Sequence, residues 1–163
     1  EGMAQAFHQT TGVATVCLRL ATTYGPGRDR GFTAAMTSAI KAIVEGEPFE
    51  VPYRGQEHYH FSLDVGAGFA RAAIDPFSGY GVFNLLGETY SIEHFIETIK
   101  KESLHFEIDK PEINFSSDAE LSPFIYELND EATRKAFPLM PQTSLREGVL
   151  QSIAYFLGLT RKK

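Results

Sequence analysis

Residues 13–20 read "VATVCLRL", a nearly continuous apolar run with one charge, Arg19. A glycine- and proline-rich stretch follows, "ATTYGPGRDRGF", and then "TAAMTSAIKAIVEG". A run this short and this apolar suits a central parallel strand buried on both faces. In the third stretch Met36, Ile40, Ile43 and Val44 fall on one side of a helix over 33–45, which Gly46 ends and Pro48 keeps from continuing. Strand, glycines and helix in that order outline an α/β domain. The same arrangement is where dinucleotide cofactors bind their pyrophosphate.

The residues favour a simple turn over a phosphate cradle. "GPGRDRG" has the form G-x-G-x-x-x-G, one residue longer than the usual fingerprint. Pro26 removes a backbone N–H from a turn that would have to aim N–H groups at phosphate. An acidic residue should end the next strand, about 20 residues on, to hold a ribose. That strand, "FEVPY", ends in Pro and Tyr and then Arg54, while Glu45 and Glu47 come too early.

Elsewhere the chain alternates between helical and extended patterns. "EGMAQAFHQTTG" is helical and closed by Gly12, yet nothing precedes Glu1 to cap it, so the chain reads as a fragment that starts inside a helix. "EHYHFSL" alternates as a strand, and Asp64 is placed to cap the small-residue helix "VGAGFARAAID" before Pro76. "YGVFNLL" reads as a further buried strand. Ser91 caps "IEHFIETIKKES", whose Ile92, Phe95, Ile96 and Ile99 form a helical stripe. "HFEID", "EINFSS" and "PFIYEL" read as short strands or extended segments broken by Pro111 and Pro123. "NDEATRKAF", capped by Asn129, and "TSLREGVLQSIAYFLGL" read as the closing helices. The fold class is mixed α/β.

The 163 residues suffice for one domain. A formal charge of -6 argues against a nucleic-acid surface, and the one dense basic cluster, the terminal "RKK", reads as a solvated tail. No apolar run approaches the ~20 residues needed to cross a bilayer. Cys17, the single cysteine, reads as a buried inert thiol and fits a reducing, cytoplasmic setting. His58 and His60 share one strand face, but without a third ligand at a recognisable spacing they read as partly exposed strand residues and not as a metal site. His8, His94 and His105 are isolated surface groups, and neither a P-loop nor a G-x-S-x-G elbow occurs. Residue patterns by themselves stop at an α/β domain.

Four segments in order resemble the C-terminal half of an extended short-chain dehydrogenase/reductase, the NAD-dependent epimerase/dehydratase family. "CLRLATTYGPG" is similar to the segment leaving the sixth Rossmann strand, and "HFSLDVGAGFARA" to a strand followed by an Asp-Val helix start. "VFNLLGETYSIEHFIETI" is similar to the family's Asn-x-Gly strand and Ser-capped helix, and "DEATRKAFPLMPQTSLREGVLQSIAYF" to its closing elements. The resemblance implies the last Rossmann strands plus a small mixed α/β substrate domain. Residues 1–24 would be the end of a Rossmann helix and its strand. Residues 25–163 would be the substrate-binding domain, with a returning strand near 81–86. "YGPG" then marks the border between the two parts.

The resemblance also implies roles. The family's Tyr-x-x-x-Lys pair would fall just before Glu1, and no Tyr here has Lys four residues on, so no catalytic residue is assigned within the chain. Leu20 and Ala21 map to contacts with the nicotinamide end of the cofactor, and Thr22 to a substrate contact where relatives carry Asn. Arg28, Arg30 and Phe32 enter the substrate domain, either as pocket lining or as a solvated loop. Glu57 stands where relatives that act on nucleotide-diphosphate sugars carry the Arg that pairs with the diphosphate, and a carboxylate there repels that group. The implied parent uses NAD or NADP and a small sugar or sugar-acid substrate, with this portion inactive and holding no cofactor by itself. Its substrate either lacks a nucleotide or is held by other bases such as Arg28 or Arg54. The alternative is a stand-alone binding or regulatory module of the same fold. Exposed apolar surface on "VATVCLRL" would favour the fragment and let it form a homodimer.

Overall fold

The structure, a computed structural model, describes residues 1–108 and 112–160. Pro111 and the "RKK" tail lie outside the described residues. The first half runs α1 (Gly2–Thr11), β1 (Thr15–Arg19), β2 (Thr22–Tyr24), α2 (Ala35–Glu45), β3 (Phe49–Arg54), β4 (Gln56–Phe61) and α3 (Ser62–Ile74). The second half runs β5 (Tyr80–Asn84), β6 (Glu88–Ser91), α4 (Ile92–Ser103), β7 (Ile113–Leu121), α5 (Glu131–Ala136) and α6 (Leu145–Thr160). No helix among the described residues is long and apolar enough to cross a membrane.

The strands form three small sheets. β1 pairs in parallel with β5, Thr15 opposite Tyr80 and Arg19 opposite Asn84; β5 occupies most of the stretch read as a returning strand. β2 pairs in parallel with β4, which pairs antiparallel with β6. β3 pairs in parallel with β7, and the register slips between Val51 and Tyr53, where Pro52 has no N–H for the ladder. The chain therefore leaves one sheet after Arg19 and enters another at Thr22.

The main core lies between the helices and the β2, β3 and β4 strands. Met36, Ala39, Ile40 and Ile43 of α2 meet Ile92, Phe95, Ile96 and Ile99 of α4 and Leu145, Val149, Ile153 and Phe156 of α6. Each set recurs at three- and four-residue steps, so each helix turns one stripe inward. Burial of an isoleucine such as Ile40 or Ile153 contributes about 1.5–3 kcal/mol. A smaller cluster of Leu85, Leu86, Phe137 and Met140 ties α5 and the 137–140 segment to the end of β5.

Several sequence expectations give way. β1 is not buried on both faces: β5 is its only neighbour among the described residues, and Val13 and Leu20 are 51% and 47% exposed. β5 and Cys17 are likewise only half-buried. β2 lies in what reads as a Gly/Pro exit, because its Thr-Thr-Tyr is itself a good strand former. β6 also escapes the pattern. α3 starts at Ser62, so Asp64 sits inside its first turn and instead accepts the Thr143 N–H at 2.5 Å and the Thr143 hydroxyl at 2.8 Å. "HFEID" opens in a 3-10 turn at Leu104–Phe106, "EINFSS" belongs to the nine-residue β7, and "PFIYEL" forms no strand. The Ser91 cap is present, its Oγ accepting the His94 N–H at 3.1 Å.

Gly148 marks where α6 closes on the core. A Cβ there would lie 2.1 Å from Tyr24 Oη and 3.1 Å from the Phe61 ring. Tyr24 cannot yield, because its ring is packed against Tyr59, Phe61 and Phe95. Helix propensity favours Ala over Gly by about 1 kcal/mol, whereas overpacking costs about 1–3 kcal/mol. Gly148→Ala is therefore expected to lower the unfolding free energy by up to about 2 kcal/mol in urea titration. A stabilised variant would show that the helix is free to shift.

Candidate functional site

Most of the residues singled out in sequence gather around β4, on its two faces. Side chains alternate along a strand, so His58 and His60 point one way and Glu57, Tyr59 and Phe61 the other. Above the first face is the crossing from β1 to β2, which carries Leu20, Ala21 and Thr22. Against the second lie the 25–32 loop, Tyr53 of β3, Ser122 and Phe124.

His60 holds the crossing. Its Nε2 accepts the Ala21 N–H at 2.8 Å, and its Nδ1 donates to the Leu86 carbonyl at 2.9 Å. An imidazole that accepts on one nitrogen must carry its proton on the other, so this pair of bonds requires the neutral ring. Burial lowers the His60 pKa in the same sense. His58 packs edge-on to His60 at 5.1 Å between ring centroids. Its Nδ1 lies 3.1 Å from Thr89 Oγ1, and the Thr89 hydroxyl donates to the Tyr126 carbonyl. Nδ1 is thus the donor, and the buried Nε2 has no hydrogen-bond partner. Burial first, and His60 second, push the His58 pKa down to about 4.

The two histidines are therefore not partly exposed, as their strand pattern suggested; they are 4% and 1% exposed. The reason is Gly87. A Cβ at that position would stand 2.4 Å from the Tyr59 carbonyl oxygen, 2.6 Å from His60 Nδ1 and 2.8 Å from His58 Nε2. Only a residue without a side chain lets the 85–89 segment seal both rings. No group of three or more His, Cys, Asp or Glu placed to hold a metal occurs among the described residues. Thr89 and Tyr126 border an open cleft of ≈ 840 Å³ that Gln56, Asn129, Asp130 and Arg134 also line.

Three positions of the loop offer no free N–H to a phosphate. The Gly25 N–H donates to Thr37 Oγ1 at 3.0 Å, Pro26 has none, and the Arg28 N–H closes a turn on the Gly25 carbonyl at 3.1 Å. Gly25 itself is at φ +109°, with Phe61 and Ser62 where a side chain would go. Arg28 donates to the Arg30 carbonyl and, at 2.5 Å, to Thr33 Oγ1. Arg30 is exposed. Phe32 is 58% exposed and stacks on Tyr53 at 5.1 Å and Phe124 at 6.1 Å.

Beneath them Glu57 is wholly buried, its Oε1 accepting the Ser122 hydroxyl at 2.6 Å and its Oε2 without a partner. The Tyr53 and Tyr59 hydroxyls are also buried and without a well-formed hydrogen bond. Burial first, and Glu57 second, raise both their pKa values, so both stay phenolic. Arg54 lies with its guanidinium 4.2 Å over the Phe115 ring. Leu20 is half-exposed and Thr22 buried, opposite Tyr59 in the ladder. The structure thus groups Leu20, Ala21 and Thr22 at one place and Arg28, Phe32 and Glu57 at another, with Arg30 outside both. Tyr53, Tyr59 and Ser122 escaped the sequence reading. Tyr53 and Tyr59 look like core aromatics, and Ser122 is 65 residues from the carboxylate it bonds.

The family model described as "NAD dependent epimerase/dehydratase family" matches residues 1–90. No curated protein matches the chain. Among solved structures, a partial-consensus L-threonine 3-dehydrogenase is similar at 16% identity and TM-score 0.79, over 96% of this chain and 53% of that one. UDP-glucuronic acid 4-epimerase from Bacillus cereus matches at 21% and 0.71 (97% and 50%). UDP-glucose 4-epimerase from Thermotoga maritima matches at 19% and 0.72 (98% and 51%). The chain spans about half the length of these structures.

The buried histidines set a pH dependence. An unfolded His58 titrates near 6.5 and the folded one near 4, so between these values the unfolded state binds more protons and stability falls as pH falls. The loss is complete near pH 4 and already roughly 2 kcal/mol at pH 5 from His58 alone, with His60 adding in the same direction. Urea unfolding at pH 7 and pH 5 measures it, and equal stabilities would refute the burial. Gly87→Ala should cost at least about 2 kcal/mol by the same assay.

Proposed function

The chain belongs to the NAD dependent epimerase/dehydratase family, and on that premise we propose that it is the substrate-binding portion of an NAD(P)-dependent epimerase, dehydratase or dehydrogenase acting on a sugar or sugar acid in the cytoplasm. Residues 1–24 end the cofactor-binding part and 25–163 form the substrate side. The observation that carries this reading is the change of sheet at Ala21, which brings Leu20, Ala21 and Thr22 to the C-terminal end of β1. Ligands of open α/β sheets bind beyond the carboxyl ends of the strands.

The bound cofactor would supply a hydride acceptor and donor. The residues here fit only its nicotinamide end: Leu20 offers a half-exposed apolar side chain, while the Ala21 N–H is committed to His60. Neither a Gly-rich fingerprint nor a Tyr-x-x-x-Lys pair occurs in the 163 residues, so this portion performs no hydride transfer alone. The exposed side of β1 supports a part of a larger enzyme over a stand-alone module. An open groove there is lined by Phe7, Val13, Val16, Leu18, Phe69 and Phe77.

Two of the structural relatives are named for UDP-sugars and one for L-threonine. The geometry around Glu57 supports a substrate without a diphosphate. The two candidate cations, Arg28 and Arg54, are held by Thr33 and by Phe115, and Glu57 itself repels an anion. Calorimetric titration is expected to detect an unmodified neutral sugar such as glucose and no tight binding of UDP-glucose. Tight UDP-glucose binding that survives Arg28→Ala and Arg54→Ala would overturn the proposal.

A further inference from the structure

We infer that the buried Glu57 carboxylate, together with the Tyr53 and Tyr59 hydroxyls, recognises an ammonium group carried by the substrate. This rests on the reading above that Glu57 and Phe32 line the substrate pocket.

Among the described residues three carboxylates are buried, and only Glu57 lacks both a neighbouring cation and a second hydrogen bond, although Glu102 Oε2, like Glu57 Oε2, accepts none. Asp64 accepts two bonds from Thr143, and Glu102 lies 3.1 Å from the Arg146 guanidinium and 3.3 Å from the His105 ring. Glu57 has only the Ser122 hydroxyl, and no Lys, Arg or His stands within 4.0 Å of it among the described residues. A buried carboxylate without a cation or a full set of donors is costly, and a chain that keeps one has an occupant in view.

The vacant valences describe that occupant. Glu57 Oε2, Tyr53 Oη and Tyr59 Oη are three buried oxygens without a well-formed hydrogen bond, the Tyr59 hydroxyl leaning on the Glu57 side chain. An ammonium group brings three N–H donors and the opposite charge. The surrounding rings suit a cation too, because aromatic faces attract positive charge: Phe32 packs on Tyr53 and on Phe124. A phosphate or carboxylate in the same place would meet only the negative Glu57. The Arg28 guanidinium, turned to Arg30 and Thr33, does not neutralise it. Phe32 and Phe124 are the two exposed rings of the cluster, and Ser122 lies on a segment with no helix or strand.

Matched sugars test this. D-glucosamine, D-glucose and N-acetyl-D-glucosamine are titrated into the protein and followed by the NMR signals of the Phe32 and Tyr59 rings. Glucosamine is expected to bind at least about tenfold more tightly than the other two, as a charge-assisted bond requires. Glu57→Gln, which keeps the size and the Ser122 bond, should reduce the preference to less than about twofold. Equal binding of the three sugars, a preference unchanged in Glu57→Gln, or no binding of any of them overturns the inference, and leaves water as the occupant of the site. If the variant does not fold, the contrast between glucosamine and its N-acetyl form in the native protein decides alone. Tight UDP-glucose binding beside an intact glucosamine preference would sink the diphosphate-free reading and leave this one standing.

Discussion

The bond from the Ala21 N–H to His60 is the constraint on which the rest of the architecture turns. After Arg19 the chain leaves the ladder it shares with β5, and two residues later it enters the ladder with β4. A backbone N–H left bare at such a crossing costs about as much as a lost hydrogen bond, and no strand lies there to receive it. His60 receives it from β4 and passes its own proton to Leu86, past the end of β5. One ring thus ties both sheets together at the place where the cofactor side would give way to the substrate side. It does so only while neutral, which explains why Gly87 must seal it from water.

The same strand serves two purposes because its side chains alternate. One face of β4 is used for joining the sheets. The other continues into the main core through Tyr59 and Phe61, and Tyr59 meets Tyr24 and Phe95 edge to face. Glu57 belongs to this second face, so it is held by a strand packed into the main core while its cover comes from Ser122, on a segment with no helix or strand. A polar group mounted on a packed strand keeps its geometry when its cover changes, which is the usual arrangement for recognition.

Sequence periodicity revealed the helices well, because their burial is one-sided: the stripes of α2 and α4 are visible in the spacing of Met36, Ile40 and Ile43 and of Ile92, Phe95 and Ile99. It failed where burial depends on partners distant in the chain. "VATVCLRL" has the composition of a doubly covered strand, yet β5 covers only one edge among the described residues. His58 and His60 read as half-solvated because nothing local announces that Gly87 will close over them. Glu57 was recognisable as a departure from the pattern of relatives. That its neighbours would be Tyr53, Tyr59 and Ser122 follows only from folding β3 and the 121–126 segment against it. Asp64 shows the same limit in reverse, a residue at a cap-like position whose real donor, Thr143, is 79 residues away.

The glycine loop, finally, gains its meaning from where its polar groups are already committed. A phosphate site needs unengaged N–H groups and unengaged cations facing one point. Here Gly25 gives its N–H to Thr37, Arg28 is bound within its own loop, and Arg54 rests on Phe115. What remains pointing inward is negative or phenolic. The Gly25 and Arg28 contacts also fix the path of the chain between β2 and α2, so those groups could turn to an anion only by giving up bonds that shape the loop. The electrostatic character around Glu57 is in this sense set in part by the backbone route, and a change of charge at Glu57 alone would not supply the cations that a diphosphate needs.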